Sequence, residues 1–129
     1  MIYGIGTDIV AVDRMVRSIR RHGNGMAERI LGEPELLEYR AVSESARAPF
    51  LAKRFAVKEA TAKAFGLGFR DGLTMAQIVV EHDERGKPLL NFSGRALELV
   101  GECSIGESFV SISDEKGHAV AFVILMRGE

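Results

Sequence analysis

The chain has one cysteine, Cys103, which rules out an internal disulfide and any cysteine-pair metal site. It has no apolar run near the roughly 18 residues that raise the question of a membrane span. Its formal net charge is −1, so the chain as a whole makes no case for nucleic acid or an anionic membrane. Repeats, low-complexity segments and a dividing linker are all missing. The opening Met1-Ile2-Tyr3-Gly4 lacks the basic start and apolar core of a signal peptide, and the expected address is the cytoplasm. No Walker-type loop, dinucleotide-binding glycine fingerprint or zinc motif occurs. What is present is 47% hydrophobic and 27% charged residues over 129 positions, the profile of a single globular domain, 1–129, with a core of its own.

Patterning divides the chain into short elements. Residues 2–12, rich in Ile and Val, read as a strand, and Asp13 suits the N-cap of a helix over 14–21 that Gly23-Asn24-Gly25 ends. Short helices follow over 26–31 and 34–42, the second with Pro34 in its first turn. A longer helix is expected from about Pro49 to Phe65, closed by Gly66. Residues 77–81 and 88–92 form a hairpin around Asp83-Glu84-Arg85-Gly86, and Ser93 suits the cap of a helix to Gly101. Strands over 108–113 and 118–126 follow. The last alternates Val120, Phe122, Ile124 and Met126 with Ala119, Ala121, Val123 and Leu125, so both faces are apolar and both need cover. Helices are one way to supply it and a subunit interface is the other. The expected class is α+β, a small antiparallel sheet packed against a long helix, with oligomerisation open.

Three groups of charges stand in unexpected places. Asp8 lies in an otherwise apolar strand, on the face of Ile2, Gly4, Gly6, Val10 and Val12. A lone carboxylate there is costly unless it is paired, protonated or metal-bound. A strand-end turn offering backbone N–H groups is one solution; a cation is another, and Gly4 and Gly6 are expected to leave open space beside it. On the long helix, Leu51, Phe55, Ala62 and Phe65 form an apolar stripe with Lys58 in its middle and Arg54 one turn earlier. Glu59 and Lys63, at i, i+4 spacing, flank the stripe as an ordinary ion pair on one reading, and Lys58 can snorkel if an opening is near. Ala52, Ala56 and Ala60 give a small-residue side that another backbone can approach closely.

Together, Asp8 and Glu59 can bind a hard cation through oxygen, with substrate phosphates and waters completing an octahedron as Mg²⁺ prefers. Arg54, Lys58 and Lys63 are candidate phosphate ligands. This is the equipment of phosphoryl-type transfer, where positioning and charge neutralisation dominate. Gly66-Leu67-Gly68 reads better as a helix end than as a phosphate cradle. The third group is Arg14, Arg17, Arg20 and Arg21, followed by Arg29, with Glu28 the one acid among them. Arg14, Arg17 and Arg21 share a helix face, which is either simply solvated or suited to an acidic partner or phosphorylated ligand. Nucleic acid is disfavoured, because the patch is small and has no interleaved aromatics.

Two stretches carry a resemblance. Tyr3-Gly4-Ile5-Gly6-Thr7-Asp8-Ile9-Val10 followed by Arg14, and Phe50-Leu51-Ala52-Lys53-Arg54-Phe55-Ala56-Val57-Lys58-Glu59-Ala60 running on to Lys63-Ala64-Phe65-Gly66, are similar to the holo-acyl-carrier-protein synthases, the small single-domain class of 4′-phosphopantetheinyl transferases. Gly86-Lys87-Pro88, Val110-Ser111-Ile112-Ser113 and the length fit as well, so the resemblance spans nearly the whole chain. One departure is Asp114, where many relatives carry a histidine or threonine, which leaves the donor contacts of that segment open. The resemblance implies the phosphopantetheinyl transferase fold and a homotrimer with the active site between neighbouring subunits. It implies transfer of 4′-phosphopantetheine from coenzyme A to a serine of apo-acyl carrier protein, with release of adenosine 3′,5′-bisphosphate, in support of fatty acid biosynthesis.

The same resemblance implies roles for residues. Asp8 and Glu59 would hold Mg²⁺ against the coenzyme A pyrophosphate, an oxygen site that Mn²⁺ also suits. Arg54, Lys58, Lys63, Gly66 and Pro88 would line the donor site. Lys63 would stabilise charge on the transferring phosphoryl group, and Glu59 or a metal-bound water would act as base. The Arg14, Arg17 and Arg21 face would dock the acidic helix of the carrier protein. Two other readings compete. A catalytically silent coenzyme A- or nucleotide-binding module keeps the basic helix but has no need of the Asp8–Glu59 pair. A small nucleic-acid-binding protein would be built around the arginine helix.

Overall fold

Small residues on one side of the long helix let a sheet lie directly on its backbone, and the rest of the chain is arranged around that contact. The computed structural model describes residues 1–129. In chain order they form β1 (Ile2–Ala11), α1 (Val12–His22), α2 (Asn24–Ile30), α3 (Glu33–Ala41), α4 (Glu44–Phe65), a single 3₁₀ turn (Met75–Gln77), β2 (Ile78–His82), β3 (Pro88–Phe92), α5 (Gly94–Glu102), β4 (Ile105–Glu115) and β5 (His118–Arg127). β1, β5 and β4 pair antiparallel in that spatial order, and β2 and β3 form a separate antiparallel hairpin. The fold is α+β, a small antiparallel sheet on a long helix, as the patterning indicated.

Strand alternation decides what the sheet buries. Val10 of β1 and Ala119, Ala121, Val123 and Leu125 of β5 turn toward α4 and are buried. On the opposite face Ile5, Ile9, Phe109, Val120 and Phe122 lie open, from 37% exposed at Val120 to 64% at Ile9. The helix therefore covers one face of the doubly apolar last strand, and nothing within the chain covers the other.

β1 crosses α4 at its glycines. A Cβ built on Gly6 would stand 2.8 Å from the Ala60 carbonyl carbon and 2.9 Å from the Ala64 nitrogen, and nearer still to the Ala60 oxygen. On Gly4 it would overlap the Ala64 carbonyl. The open space expected beside Asp8 is thus filled by helix backbone. Glycine is needed here because two main chains touch, not because a ligand requires room.

Among the boundaries that differ from expectation, which include β4 reaching from Ile105 to Glu115 and α2 starting at Asn24, two have plain physical reasons. The strand ends at Ala11 rather than residue 12, where the Val12 N–H donates to the Gly117 carbonyl of the β4–β5 turn at 2.7 Å. Asp13 consequently sits inside the first turn of α1, where its charge complements the helix dipole, and Ala11 is the N-cap. Helix α4 begins at Glu44, so Pro49 lies within it. The bond that Pro49 cannot donate would have gone to the carbonyl of Ser45, an exposed residue of the first turn that water can reach. At the other end Gly66 adopts φ 82°, and its N–H closes the helix on the Ala62 and Lys63 carbonyls.

Candidate active site

The β1–α4 crossing also makes a charged site. Asp8 is the next residue after Gly6 on the helix-facing side of β1, which sets its carboxylate against the last turns of α4. Lys63 Nζ donates to Asp8 Oδ1 at 3.1 Å and to the Thr7 carbonyl at 3.0 Å. The Asp8 side chain is 17% exposed and that of Lys63 54%, so the pair is partly screened and its bond is weak enough to exchange for a ligand. Lys63 does not make the helical pair with Glu59 that its spacing suggested; it reaches across to the strand.

Glu59 occupies the same neighbourhood. Burial raises its carboxyl above the ordinary glutamate range and the Asp8 charge adds to the effect, while Lys63 and Arg14 pull it down. Three charged groups that the sequence marked, Asp8, Lys63 and Arg14, therefore act on Glu59. The Arg14 guanidinium is carried there by stacking over the Phe55 ring, 5.0 Å from its centroid. Two carboxylates held together against their repulsion are an oxygen donor set that a hard cation would relieve. No third aspartate, glutamate, histidine or cysteine joins them, so further ligands would be supplied by substrate and water. The residues fit a Mg²⁺-type ion of that kind.

A second region lies at the far edge of the sheet. A cleft of about 210 Å³ is lined by Lys53, Arg54, His82, Pro88, Ile112 and Asp114 among others. Arg54 and Pro88, from distant parts of the sequence, meet there. Lys53 and His82 join them; Lys53 lies within the resembling stretch without an assigned role, and His82 in no motif. Gly66 is not in this cleft; it caps α4 with open space around the position of its missing Cβ.

Lys58 requires a correction. It is fully buried, and its ammonium donates to Glu35 Oε1 at 2.6 Å, the Ile30 carbonyl at 2.6 Å and the Met75 carbonyl at 3.1 Å. An ammonium has three N–H donors, and these contacts take all of them, so Lys58 has none left for a phosphate. Burial pushes its pKa down to about 8, with the Glu35 carboxylate holding it up, and it stays charged at neutral pH. Lys58 does not snorkel, and it is not among the residues that line the cleft. It ties α4 to the segments that carry α2, α3 and the 3₁₀ turn.

Its partner, Glu35, escaped the sequence reading. Completely buried, it accepts from the Gly32 and Val80 N–H groups at 2.9 and 3.1 Å as well as from Lys58 and Arg54. Arg54 itself is only 5% exposed; it donates to Glu35, Glu38 and the Val80 carbonyl and lies over the Phe50 ring. Arg14, Arg17 and Arg21 are all exposed on α1, and none forms an ion pair.

The fold and this arrangement of charges are those of a group-transfer enzyme. A family model described as 4′-phosphopantetheinyl transferase superfamily matches residues 4–123, and the chain belongs to that family. It is 52% identical to a holo-[acyl-carrier-protein] synthase of Halorhodospira halophila over 99% of this chain and 100% of the relative. Among solved structures, it is similar to the holo-[acyl-carrier-protein] synthase of Neisseria meningitidis, with a TM-score of 0.92, 40% identity, and coverage of 98% of this chain and 100% of that one. A holo-(acyl-carrier-protein) synthase of Bacillus anthracis in complex with CoA (3′,5′-ADP) aligns with a TM-score of 0.83 and 35% identity, over 99% of each chain. None of the comparisons favours the silent-module or nucleic-acid readings.

Proposed function

We propose that the chain transfers 4′-phosphopantetheine from coenzyme A to a serine of apo-acyl carrier protein, releasing adenosine 3′,5′-bisphosphate, and that it serves fatty acid biosynthesis in the cytoplasm. The observation that carries this is the Asp8–Glu59 pair with Lys63 at the β1–α4 crossing. The coenzyme A ligand of the Bacillus anthracis relative supports the choice of donor. In the reaction the serine hydroxyl gives its proton to Glu59 or to water as its oxygen bonds to the β-phosphorus, and the bond from that phosphorus to the departing adenosine 3′,5′-bisphosphate breaks, the nucleotide keeping the bridging oxygen. Asp8 and Glu59 would hold Mg²⁺, which supplies charge neutralisation at the pyrophosphate. Lys63 turns its ammonium from Asp8 to the oxygens where negative charge develops. Arg54 and Pro88 line the donor cleft, and Gly66, which lies outside it, closes the helix that carries Arg54 and Lys63.

The metal assignment has a twofold test. Asp8→Asn and Glu59→Gln should each lower the transfer rate about tenfold or more, as read by mass spectrometry of the carrier protein. Mg²⁺ should raise the melting temperature of the wild type and not that of either variant. Without Mg²⁺, Glu59→Gln should melt no lower than the wild type at neutral pH. The raised carboxyl of Glu59 opposes folding only above the ordinary glutamate range, where the unfolded chain ionises more readily, and glutamine removes that penalty. Normal activity at low Mg²⁺ in both variants would overturn the site.

The donor site is shared between subunits of a homotrimer. Asp8 lies on β1 and the cleft residues Ile112 and Asp114 on β4, the two outer strands with β5 between them. Two strand spacings separate them, about 10 Å, on opposite edges of one sheet. Head-to-tail packing around a threefold axis would bring the β1 edge of one chain to the β4 edge of the next and cover the open apolar face. Phe122→Glu should yield a monomer by light scattering, folded by circular dichroism and poorly active. A fully active monomer would refute the shared site.

Arg14, Arg17 and Arg21 dock the acidic carrier protein. Reversal of Arg17 or Arg21 to glutamate should raise KM for the carrier, leave KM for coenzyme A nearly unchanged, and weaken the inhibition by salt. Arg14→Glu should also lower kcat, because Arg14 is close enough to act on Glu59. Unchanged kinetics and salt response in all three would remove docking from the account.

A further inference from the structure

We propose that Glu35 is a positioning residue of the donor site, acting through Arg54; this rests on the function proposed above. The carboxylate of Glu35 is completely buried, and each of its oxygens accepts twice. Oε1 takes the Gly32 N–H and Lys58, and Oε2 takes the Val80 N–H and Arg54. The two oxygens thus face different structures. Oε1 closes the N-terminus of α3 and holds Lys58, and neither Lys58 nor that helix end lines the donor cleft. Oε2 joins Arg54, which lines the cleft, to β2, whose hairpin carries Pro88, another lining residue.

The guanidinium is fixed from several sides. One terminal nitrogen donates to Glu35 at 3.1 Å and to the Val80 carbonyl at 3.4 Å, the other to Glu38 at 3.3 Å, and the plane lies 4.4 Å from the Phe50 ring centroid. Of its five N–H donors two are left over, and their direction is set by the bonds of the other three. Glu38 alone is a poor anchor, because its side chain is 49% exposed and competes with water. Glu35, fully buried and held by four donors, is the stronger anchor. A buried carboxylate serving two buried cations contributes less to stability than an apolar cluster of the same shape would. Its value lies in orientation, and the group it orients on the cleft side is Arg54.

The experiment compares variants that disturb different oxygens. Glu35→Gln removes the charge from both, and Glu35→Met combined with Lys58→Met removes the acceptor from Arg54 without leaving Lys58 unpaired. Lys58→Met alone leaves Oε2 and Arg54 in place. With coenzyme A, apo-acyl carrier protein and Mg²⁺, the two Glu35 variants should raise KM for coenzyme A about tenfold, with little change in KM for the carrier, while Lys58→Met should lower the melting temperature and leave KM for coenzyme A within about twofold of wild type. In an Arg54→Ala background the Glu35 changes should add nothing further to KM. If Glu35→Gln does not fold, the double variant decides on the same criterion. A Glu35 variant that folds with an unaltered KM for coenzyme A, or whose effect adds fully to that of Arg54→Ala, overturns the proposal. Failure of the wild type to modify the carrier at all would instead overturn the proposed function.

Discussion

Gly6→Ala is expected to lose about 3 kcal/mol or more of stability, or to fail to fold, because its one added carbon meets main chain rather than a side chain. The nearest atoms are the Ala60 carbonyl and the Ala64 nitrogen of α4, which are fixed by the helix and have no rotamer to yield. For a chain of this length the loss should appear as a fall in melting temperature on the order of 10 °C. Gly25→Ala is the matched control. Gly25 lies in α2 with no atom within 4 Å of the added carbon, so the substitution should be neutral or mildly stabilising through helix propensity. Any Gly6→Ala protein that does fold must widen the β1–α4 gap, and Asp8 moves with β1. Transfer activity should therefore fall further than the folded fraction does. A variant that melts within a few degrees of wild type would show that the crossing is not as tight as described.

Lys58→Met should cost about 3–5 kcal/mol, the range for breaking a buried ion pair by removing one partner. The side chain it replaces is fully buried, and the change leaves the Ile30 and Met75 carbonyls without their donor and Glu35 with one cation fewer. Chemical denaturation should show the loss as a lower midpoint with an unchanged slope. Activity of the folded protein at low temperature should persist, since Lys58 does not reach the donor cleft. A stable but inactive Lys58→Met protein would return the lysine to the reaction.

Both charged anomalies in the sequence were legible because each broke a period. Asp8 interrupts an alternating strand and Lys58 an apolar helical stripe, and the structure gives each a partner. What those partners are was not legible. Glu35 lies 23 residues before Lys58, between Glu33 and Glu38 in a helix whose charges resemble an ordinary surface, and only the tertiary fold buries it. Lys63 shows the opposite failure. Its local spacing to Glu59 suggested a helical pair, and a strand 55 residues away takes the proton donor instead. The cleft is composite for the same reason. Lys53 and His82 meet there only because the β2–β3 hairpin and β4 converge on the first half of α4. The start of α4 was misplaced because proline usually marks a first turn, and here exposure of that turn makes a missing bond inexpensive.

The contact of Gly4 and Gly6 with Ala60 and Ala64 bears on how this site can be moved to another protein. Its geometry is defined by backbone touching backbone, so side chains elsewhere in the core can drift without changing the distance from Asp8 to the helix. Grafting Asp8, Glu59 and Lys63 alone onto a foreign scaffold would carry the proposed catalytic groups without the ruler that spaces them. The portable unit is the whole strand–helix crossing, glycines and alanines included. In such a graft the residues with the least chemistry would be the ones that tolerate no substitution.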